Sequence, residues 1–371
     1  MGKERLEVLA LEPYFAGSHK AVLDGLCGVS GHDFALLEMP ARKWKWRMRA
    51  AAIEFAERAR LLSESFDLVF ANDMMSVADW CALAPSGLAR LPVVTYFHEN
   101  QLTYPLRQES ERDYQYGFTN ITTCLASDEV WFNSEYHRNE FLDAVQALLS
   151  RMPDCIPHGV VEKIRKNSYV VYPGIDVPCG RAGARRSPPT LLWNHRWEWD
   201  KNPEEFFEAV EAVRARGVDF RLAVAGEIFR ETPAVFTRAR EDLADVIVHW
   251  GHIKNRDEYL KLISKCDVVV STAWHEFFGV AVLEAAAAGC VPLLPRRLSY
   301  PEIFAEGSEG VVFYENGRLV DRLAALLCGD SLPAPHAAKA LARPYLWANR
   351  IGQWDSAFRR AARNAQAAAG P

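Results

Sequence analysis

The sequence predicts an α/β protein built from two doubly wound domains in tandem. Short apolar runs alternate with helix-like stretches along most of the chain, which is typical of parallel sheets covered by helices. A polar stretch rich in Gly, Pro and Arg, residues 177–189, interrupts this pattern before it restarts. At 371 residues the chain also exceeds what one hydrophobic core usually organises. We therefore expect two Rossmann-like domains that face each other across a cleft, with ligands at the carboxyl ends of the strands.

The predicted domains are residues 1–176 and 190–334, joined by a linker over 177–189. Residues 335–371 are rich in Ala and Arg and are predicted to be helical, packing either on the second domain or back on the first. The predicted strands are 6–12, 34–39, 68–71, 93–97, 129–132, 169–171, 190–193, 220–225, 246–248, 268–271, 291–294 and 311–314. The predicted helices are 20–26, 48–63, 136–149, 203–212, 256–263, 280–288 and 318–327.

Composition narrows the class of protein. The formal net charge of −5 shows no bulk tendency to bind nucleic acid, so any such binding must come from a local patch. The eight cysteines are scattered, without Cys-x-x-Cys or zinc-like spacing, which favours a reducing compartment over a disulfide framework. The N-terminus lacks a signal-peptide pattern, and no run of about 18 apolar residues occurs. We expect a cytoplasmic protein without a membrane span, and the sequence leaves its oligomeric state open.

The most informative stretch joins a β-branched run, 267–271, to an Ala-rich helix over 280–288. Glu276 and Glu284 lie eight residues apart across this turn, one before the helix and the other about one turn into it. The two carboxylates suit either a catalytic acid/base pair or a pair of clamps on a ligand that carries hydroxyl groups.

A helix that starts at this point presents free backbone amides near Phe278, Gly279 and Val280. Such a helix N-terminus attracts anions. A ligand with a phosphate at the helix end and hydroxyls on either side fits this arrangement, and a sugar nucleotide has that outline.

A second loop, at the start of the second domain, carries Arg196 and Lys201 between an apolar strand and a helix begun by Pro203. Two cations directed at a cleft can hold a diphosphate and neutralise it as it leaves. The alternative is a surface loop held by salt bridges. Glu227 ends the next strand and is predicted to form a wall of the same pocket. Because no Asp-x-Asp occurs in the chain, we expect no metal at the diphosphate.

Polar residues also follow strands of the first domain. Gly17 and His19 come after the first strand, where Gly17 can let a ligand approach the backbone, although a plain turn explains the motif about as well. His98, Glu99 and Asn100 follow a buried strand abruptly. Structural caps explain one or two of these side chains, so we favour a functional role for His98 above the others.

A basic segment stands out against the acidic chain. It interleaves cations with tryptophans and contains Lys43, Trp44, Lys45, Trp46 and Arg47. It is either a solvated loop anchored by its Trp rings or a patch that neutralises phosphates and stacks bases.

These motifs carry a resemblance to known families. Glu276-x7-Glu284, within His-Glu-Phe-Phe-Gly-Val-Ala-Val-Leu-Glu-Ala, resembles the signature of the retaining family-four glycosyltransferases, which have the two-domain GT-B fold. The segments 15–20, 43–49, 97–102 and 193–203 look like the tRNA-queuosine mannosyltransferase family.

The resemblance implies a role for each residue on the donor side. Arg196 and Lys201 would bind the diphosphate, Glu276 the hydroxyls of the hexose and Glu284 the ribose. Neither glutamate is then a nucleophile, because retention would proceed by departure and attack on one face of the sugar, with the leaving phosphate as base. The donor would be GDP-mannose, with no cofactor besides it.

On the other side, Gly17 would lie near the diphosphate and His98 would reach the donor sugar. His19, Glu99 and Asn100, with the basic segment, are assigned to the acceptor side. The acceptor would be queuosine at the wobble position of tRNA-Asp. Two alternatives remain: a GT-B transferase that uses another nucleotide sugar with a small-molecule or envelope-glycan acceptor, and a non-catalytic sugar-nucleotide- or RNA-binding protein.

Overall fold

The computed structural model describes residues 4–176, 187–228, 232–328 and 332–368. These residues divide into two compact units, each built on one parallel sheet. The first unit runs up to Gly174 and takes in the chain again from Trp347, and the second is Ile175–Leu346. Most of the predicted linker, 177–186, lies outside the described residues.

In its described residues the first unit has a sheet of six parallel strands in the order β2-β1-β3-β4-β5-β6. In chain order its elements are β1 (Glu7–Phe15), α1 (Gly17–Val29), β2 (Asp33–Pro40), α2 (Trp44–Ala59), β3 (Leu68–Asn72), α3 (Val77–Leu83), β4 (Val93–Phe97), α4 (Tyr114–Ala126), β5 (Glu129–Phe132), α5 (Glu135–Leu149), α6 (Val160–Asn167) and β6 (Ser168–Val170).

Helices cover both faces of this sheet, which explains the unbroken apolar run in β1. Val8 and Ala10 pack into one core cluster together with residues of α1, while Leu9 and Leu11 pack into another with Phe55 of α2. Alternate residues of a strand point to opposite faces, so both sets must be apolar.

The second unit repeats this plan over its described residues, with six parallel strands in the order β12-β11-β10-β7-β8-β9. Its elements are β7 (Thr190–Trp193), α7 (Pro203–Ala215), β8 (Arg221–Ala225), α8 (Val235–Asp242), β9 (Ile247–Gly251), α9 (Arg256–Ile263), β10 (Val268–Val270), α10 (Val280–Ala288), β11 (Val291–Pro295), α11 (Tyr300–Ile303), β12 (Val312–Tyr314), α12 (Leu319–Cys328) and α13 (Pro335–Ala342). Leu191 and Trp193 of β7 pack against Phe206 and Phe207 of α7 in its core.

The last helix, α14 (Trp347–Ala368), belongs to the first unit. Trp347 approaches the chain closely at two glycines, because a Cβ added to Gly25 would lie 2.0 Å from its Nε1, and one added to Gly174 would lie 2.1 Å from its Cδ2. Trp354 donates from Nε1 to the Tyr172 carbonyl at 2.9 Å. The segment after residue 335 is therefore divided, with α13 in the second unit and α14 in the first.

The strand order of each unit decides which loops lie side by side. β1, β3 and β4 are neighbours in the first sheet, and β10 and β7 are neighbours in the second. Because the strands are parallel, the loops that follow them emerge at one edge of each sheet. None of the described helices combines the length and the apolar character that crossing a membrane requires.

Candidate active site

Lys201 and Glu276 meet at the carboxyl edge of the second unit's sheet. The Lys201 ammonium is buried and donates to the His275 carbonyl at 2.7 Å. Its Nζ also lies 3.2 Å from Asp200 Oδ2 and 3.4 Å from Glu276 Oε2. The loops after β7 and β10 are thus joined by one cation between two carboxylates.

These groups hold one another in their charged forms. Burial lowers the pKa of Lys201, but Asp200 and Glu276 together outweigh it, so the net pKa is raised. Burial raises the pKa of Glu276, yet the charge of Lys201 brings the net pKa below its usual value. Lys201 and Glu276 are therefore both ionised at neutral pH, which suits them to bind charged and hydroxyl groups.

Helix α10 starts beside Glu276. Gly279 occupies its N-cap with φ +91°, a left-handed conformation that favours glycine, and a Cβ there would lie 3.1 Å from Tyr300. Phe278 is buried and packs edge-to-face against Tyr345. This turn therefore offers its backbone amides, together with those of Val280, rather than side chains, for binding an anion.

Glu284 is buried inside α10 and already has a partner. Arg256, the first residue of α9, contacts Glu284 Oε1 through Nη2 and also lies 3.7 Å from Asp176. The sequence analysis missed Arg256, since nothing local links it to a carboxylate 28 residues further along. Burial lowers the pKa of Arg256, but the bonded Glu284 raises it more.

The other residues predicted on the donor side lie nearer the surface. Arg196 is partly exposed, and its Nη2 lies 3.2 Å from Glu198 Oε2. The Glu227 side chain is exposed, while its carbonyl accepts from the Trp197 amide at 2.9 Å and ties the loops after β7 and β8 together.

Two buried histidines adjoin Lys201, and the sequence did not single them out. Burial, followed by the charge of Lys201, lowers the pKa of His195 to about 4 and that of His275 to about 3. Both rings are therefore neutral at physiological pH and add no positive charge around Lys201.

The first unit brings together Glu12, His19 and His98 at the carboxyl ends of β1 and β4. Glu12 accepts from the Tyr14 amide at 2.7 Å and from Asn72 Nδ2 at 2.6 Å. Its Oε1 also lies 3.4 Å from His19 Nδ1. The ring of His19 stacks on that of His98 with centroids 4.2 Å apart and planes 21° apart.

The two stacked rings differ in charge. Burial alone would lower the pKa of His19, but Glu12, and then Asp73 and Glu99, raise it to about 9. Burial lowers the pKa of His98 well below its usual value, and the charge of His19 lowers it further. His19 is therefore a cation at neutral pH, while His98 is neutral.

Donor atoms of Glu12, His19 and His98 all lie within 4.8 Å of one another, a set of ligand types that zinc uses. The expectation that no metal takes part remains a prediction. Gly17, the exposed first residue of α1, has φ +53°, and no capping side chain bonds to this end of the helix.

Glu99 and Asn100 differ in their surroundings. The Asn100 side chain is fully buried and accepts from the Leu102 and Thr103 amides at 3.0 and 2.9 Å. It therefore forms a turn of its own loop, a geometry at odds with its predicted place on the acceptor side. Glu99 is partly buried and accepts from Gln101 Nε2 at 3.2 Å.

The basic segment is the start of α2 and not a loop. Lys43 is the N-cap with φ +55°, and Lys45 is exposed beside the rings of Trp44 and Tyr116. Trp46 is 63% exposed. No acidic residue lies in the first turn.

Arg47 is an exception within this segment. Its side chain is buried, and its Nε donates to the Pro40 carbonyl at 3.1 Å. It anchors α2 to the end of β2, so its guanidinium is not exposed as a phosphate-binding patch requires.

Comparison with known proteins assigns the family. Residues 7–175 match the profile of the tRNA-queuosine alpha-mannosyltransferase N-terminal domain, and residues 181–341 match that of the glycosyl transferases group 1. The chain is 40% identical over 309 residues to the tRNA-queuosine alpha-mannosyltransferase of Drosophila melanogaster, covering 80% of this chain and 81% of that relative. The chain belongs to the tRNA-queuosine alpha-mannosyltransferase family. It is a glycosyltransferase, as the sequence motifs predicted.

More distant relatives of this tRNA-queuosine alpha-mannosyltransferase family member share part of the chain or the fold. A GDP-mannose:cellobiosyl-diphosphopolyprenol alpha-mannosyltransferase of Xanthomonas campestris is 28% identical over 38% of each chain. The sucrose-phosphate synthase of Thermosynechococcus elongatus has a similar fold, with a TM-score of 0.72 at 13% identity, covering 95% of this chain and 98% of that one. The predicted GT-B fold is thereby confirmed.

Proposed function

We propose that this chain transfers mannose from GDP-mannose to queuosine at the wobble position of tRNA-Asp, with retention at the anomeric carbon. The observation that carries this proposal is the 40% identity, over 80% of the chain, to a relative named for that reaction. The match of residues 7–175 to the family's N-terminal profile adds to it, because the profile of the group 1 glycosyl transferases covers only residues 181–341.

The second unit supports the donor side of the proposal. Lys201 is a buried cation, and the free Oε1 of Glu276, which has no partner among the described residues, is available to accept from sugar hydroxyls. Arg196, Lys201 and the amides at the start of α10 would together neutralise the departing diphosphate. The proposal therefore uses no metal ion.

The α2 N-terminus supports the acceptor side. Cations at the positive end of a helix dipole are unfavourable, and acids are the usual residues there. Lys43 and Lys45 instead occupy this end, with Trp46 exposed beside them. RNA phosphates would relieve the unfavourable charge, and a base would stack on the indole.

Incubation with GDP-mannose and tRNA tests the proposal, followed by mass spectrometry of the tRNA nucleosides. Queuosine-containing tRNA-Asp should gain one hexose, and the same tRNA lacking queuosine should gain none. Equal labelling of both tRNAs would contradict the proposed acceptor. Transfer or donor hydrolysis that is unaffected by RNA would favour the small-molecule or glycan acceptor, and a panel of nucleotide sugars would identify the donor.

A further inference from the structure

Glu12, His19 and His98 form a row that extends beyond His98, the one histidine that the family resemblance assigns to the donor sugar. Glu12 Oε1 lies 3.4 Å from His19 Nδ1, and the His19 ring stacks on that of His98 at 4.2 Å between centroids. Glu12 and His19 are almost fully buried. The carboxylate of Glu12 lies beside the His19 ring, and that ring in turn stacks on His98.

This geometry allows only one of the two rings to carry the additional proton that makes an imidazole a cation. Two imidazolium ions stacked at 4.2 Å inside a protein repel each other, so only one ring is charged. The ring beside the carboxylate retains the proton, because an opposite charge within this distance favours the cation. The pKa of His19, raised to about 9, and the lowered pKa of His98 agree with this assignment.

We propose that Glu12 is a positioning residue that keeps a proton on His19 and thereby keeps His98 neutral in the resting enzyme. The functional part of this inference rests on the proposed reaction. The family resemblance assigns His98 to the donor sugar. In a transfer that develops positive charge on that sugar, a neutral His98 would not repel the charge, whereas an imidazolium would. The Glu12–His19 pair behind it carries no net charge.

Other titratable groups also face the two rings, but none replaces Glu12 as the counter-charge of His19. The ones that face the pair from neighbouring segments are Tyr14, Asp73, Tyr96, Glu99 and His137. Asp73 is the strongest competitor, but it is fully buried and its Oδ1 accepts from the His98 amide at 2.9 Å. Burial raises the pKa of Asp73 well above its usual range, which weakens it as an anion. The carboxylate of Glu12, held by two hydrogen bonds, is the stable counter-charge.

A divalent metal is the competing occupant of this row, since the three donor atoms lie within 4.8 Å. An imidazole binds a metal in the plane of its ring, and the planes of His19 and His98 are stacked 21° from parallel. A single ion cannot lie in both planes unless one ring turns. A proton requires no such movement.

The direct test is a pH titration of the histidine rings by NMR in the full chain labelled with 15N-histidine. His19→Gln and His98→Gln spectra assign the two rings. His19 should titrate near pH 9, and His98 should titrate well below the usual pH range of a histidine. In Glu12→Gln, the His19 midpoint should fall by at least one unit and that of His98 should rise. Unchanged midpoints in this variant would overturn the inference, whether or not the enzyme turns over.

The kinetic test is the pH profile of kcat/KM for mannosyl transfer. Glu12→Gln should move the acid limb upward, because His98 then becomes protonated more readily. Glu129→Gln is the matched control, since Glu129 is a buried carboxylate of the same unit paired with Arg360. This control substitution should leave the acid limb of the pH profile unchanged.

Two further results would overturn the inference. An equal loss of activity at every pH in Glu12→Gln would reduce Glu12 to a structural role. Stoichiometric zinc in the purified protein, with activity lost to a chelator and restored by zinc, would make the row a metal site. If the NMR result holds while no mannosyl transfer occurs, the proton assignment stands and the proposed function fails.

Discussion

At the scale of single residues, the central feature of the second unit is Lys201 between Asp200 and Glu276. The sequence predicted Lys201 and Glu276 separately, each from its own loop. It could not predict their contact, because 75 residues separate them and only the pairing of β7 with β10 brings the loops together. Arg256 escaped prediction for the same reason.

The two glutamates of the motif should differ when they are replaced. Glu276→Gln removes an anion held next to Lys201, so kcat should fall by about 100-fold or more, while donor affinity changes little. Glu284→Gln loses a charged acceptor, so the KM for GDP-mannose should rise about 10-fold with kcat largely kept. Steady-state kinetics with varied donor would separate the two effects.

Both variants need a control for folding, since Glu276 and Glu284 have charged partners in the free protein. Thermal unfolding should show each variant cooperatively folded at the assay temperature. If Glu284→Gln lowered kcat as much as Glu276→Gln, the two carboxylates would share one role and the distinction would fail.

Motif membership did not predict which way a side chain points. Asn100 and Arg47 belong to polar and basic motifs that the sequence assigned to the acceptor side. In the structure both are buried and bonded to nearby backbone. The residue types of a motif show which chemistry is available. The direction of each side chain depends on the local turn, which the motif itself does not predict.

At the scale of elements, the position at which α2 starts determines how the basic segment is presented. The sequence predicted a helix from 48, whereas it starts at Trp44 and places Lys45 in the first turn. Lys43→Glu/Lys45→Glu should weaken tRNA binding and make its salt dependence shallower by about two units of the log–log slope. Filter binding over a salt series would measure both.

The matched control is Lys163→Glu/Lys166→Glu, the same charge change on exposed positions of α6 in the same unit. It should lower tRNA affinity less. Trp46→Ala should weaken binding by about 1–3 kcal/mol without changing the salt slope, because stacking involves no counterions. Equal effects of the two double variants would show that α2 is not the binding surface.

The contact between α1 and α14 gives a stability prediction. Gly25→Ala places a Cβ 2.0 Å from Trp347 Nε1, so we expect a loss of about 1–3 kcal/mol in the free energy of unfolding. Gly28→Ala, in the same helix, meets no atom within 4 Å and should be neutral or stabilising by about 0.5–1 kcal/mol. Urea unfolding would measure both, and equal midpoints would contradict the close contact.

Elements with clear periodicity were predicted closely. β4, β5 and β7 have the predicted bounds, as do α9 and α10. Helix α4 was not predicted, because Thr119, Ile121, Thr122 and Thr123 are β-branched and have low helix propensity. Packing stabilises it instead: Gly117 lies against Leu102, where an added Cβ would be 2.3 Å from Cδ2.

At the scale of the whole molecule, strand order brings motifs that are distant in the sequence together into one site. The doubly wound rule predicted that ligands bind at the carboxyl ends of parallel strands. It could not predict that β3 lies between β1 and β4, which places Asp73 beside the histidine pair. Likewise, periodicity did not decide where the chain after 335 packs, because an amphipathic helix fits any apolar surface.

The histidines of both units together predict how stability depends on pH. His195 and His275 have folded pKa values of about 4 and 3, below the unfolded value of 6.5, and that of His98 is also well below it. The unfolded chain therefore binds more protons as the pH falls below 6.5, so stability is lost on the acid side. At pH 5 this amounts to about 2 kcal/mol for each of His195 and His275.

His19 acts in the opposite direction. Its folded pKa of about 9 lies above the unfolded value, so its contribution is fully present below pH 6.5 and disappears as the pH rises through 9. The urea midpoint, measured from pH 5 to pH 10, should therefore be highest near pH 6–7 and fall on both sides. His19→Gln should reduce the alkaline fall, while His275→Gln should reduce the acid fall and leave the alkaline one unchanged. A midpoint that falls on the alkaline side equally in the wild type and in His19→Gln would show that His19 is not charged in the folded protein, and the charge assignment of the stacked rings would then be wrong.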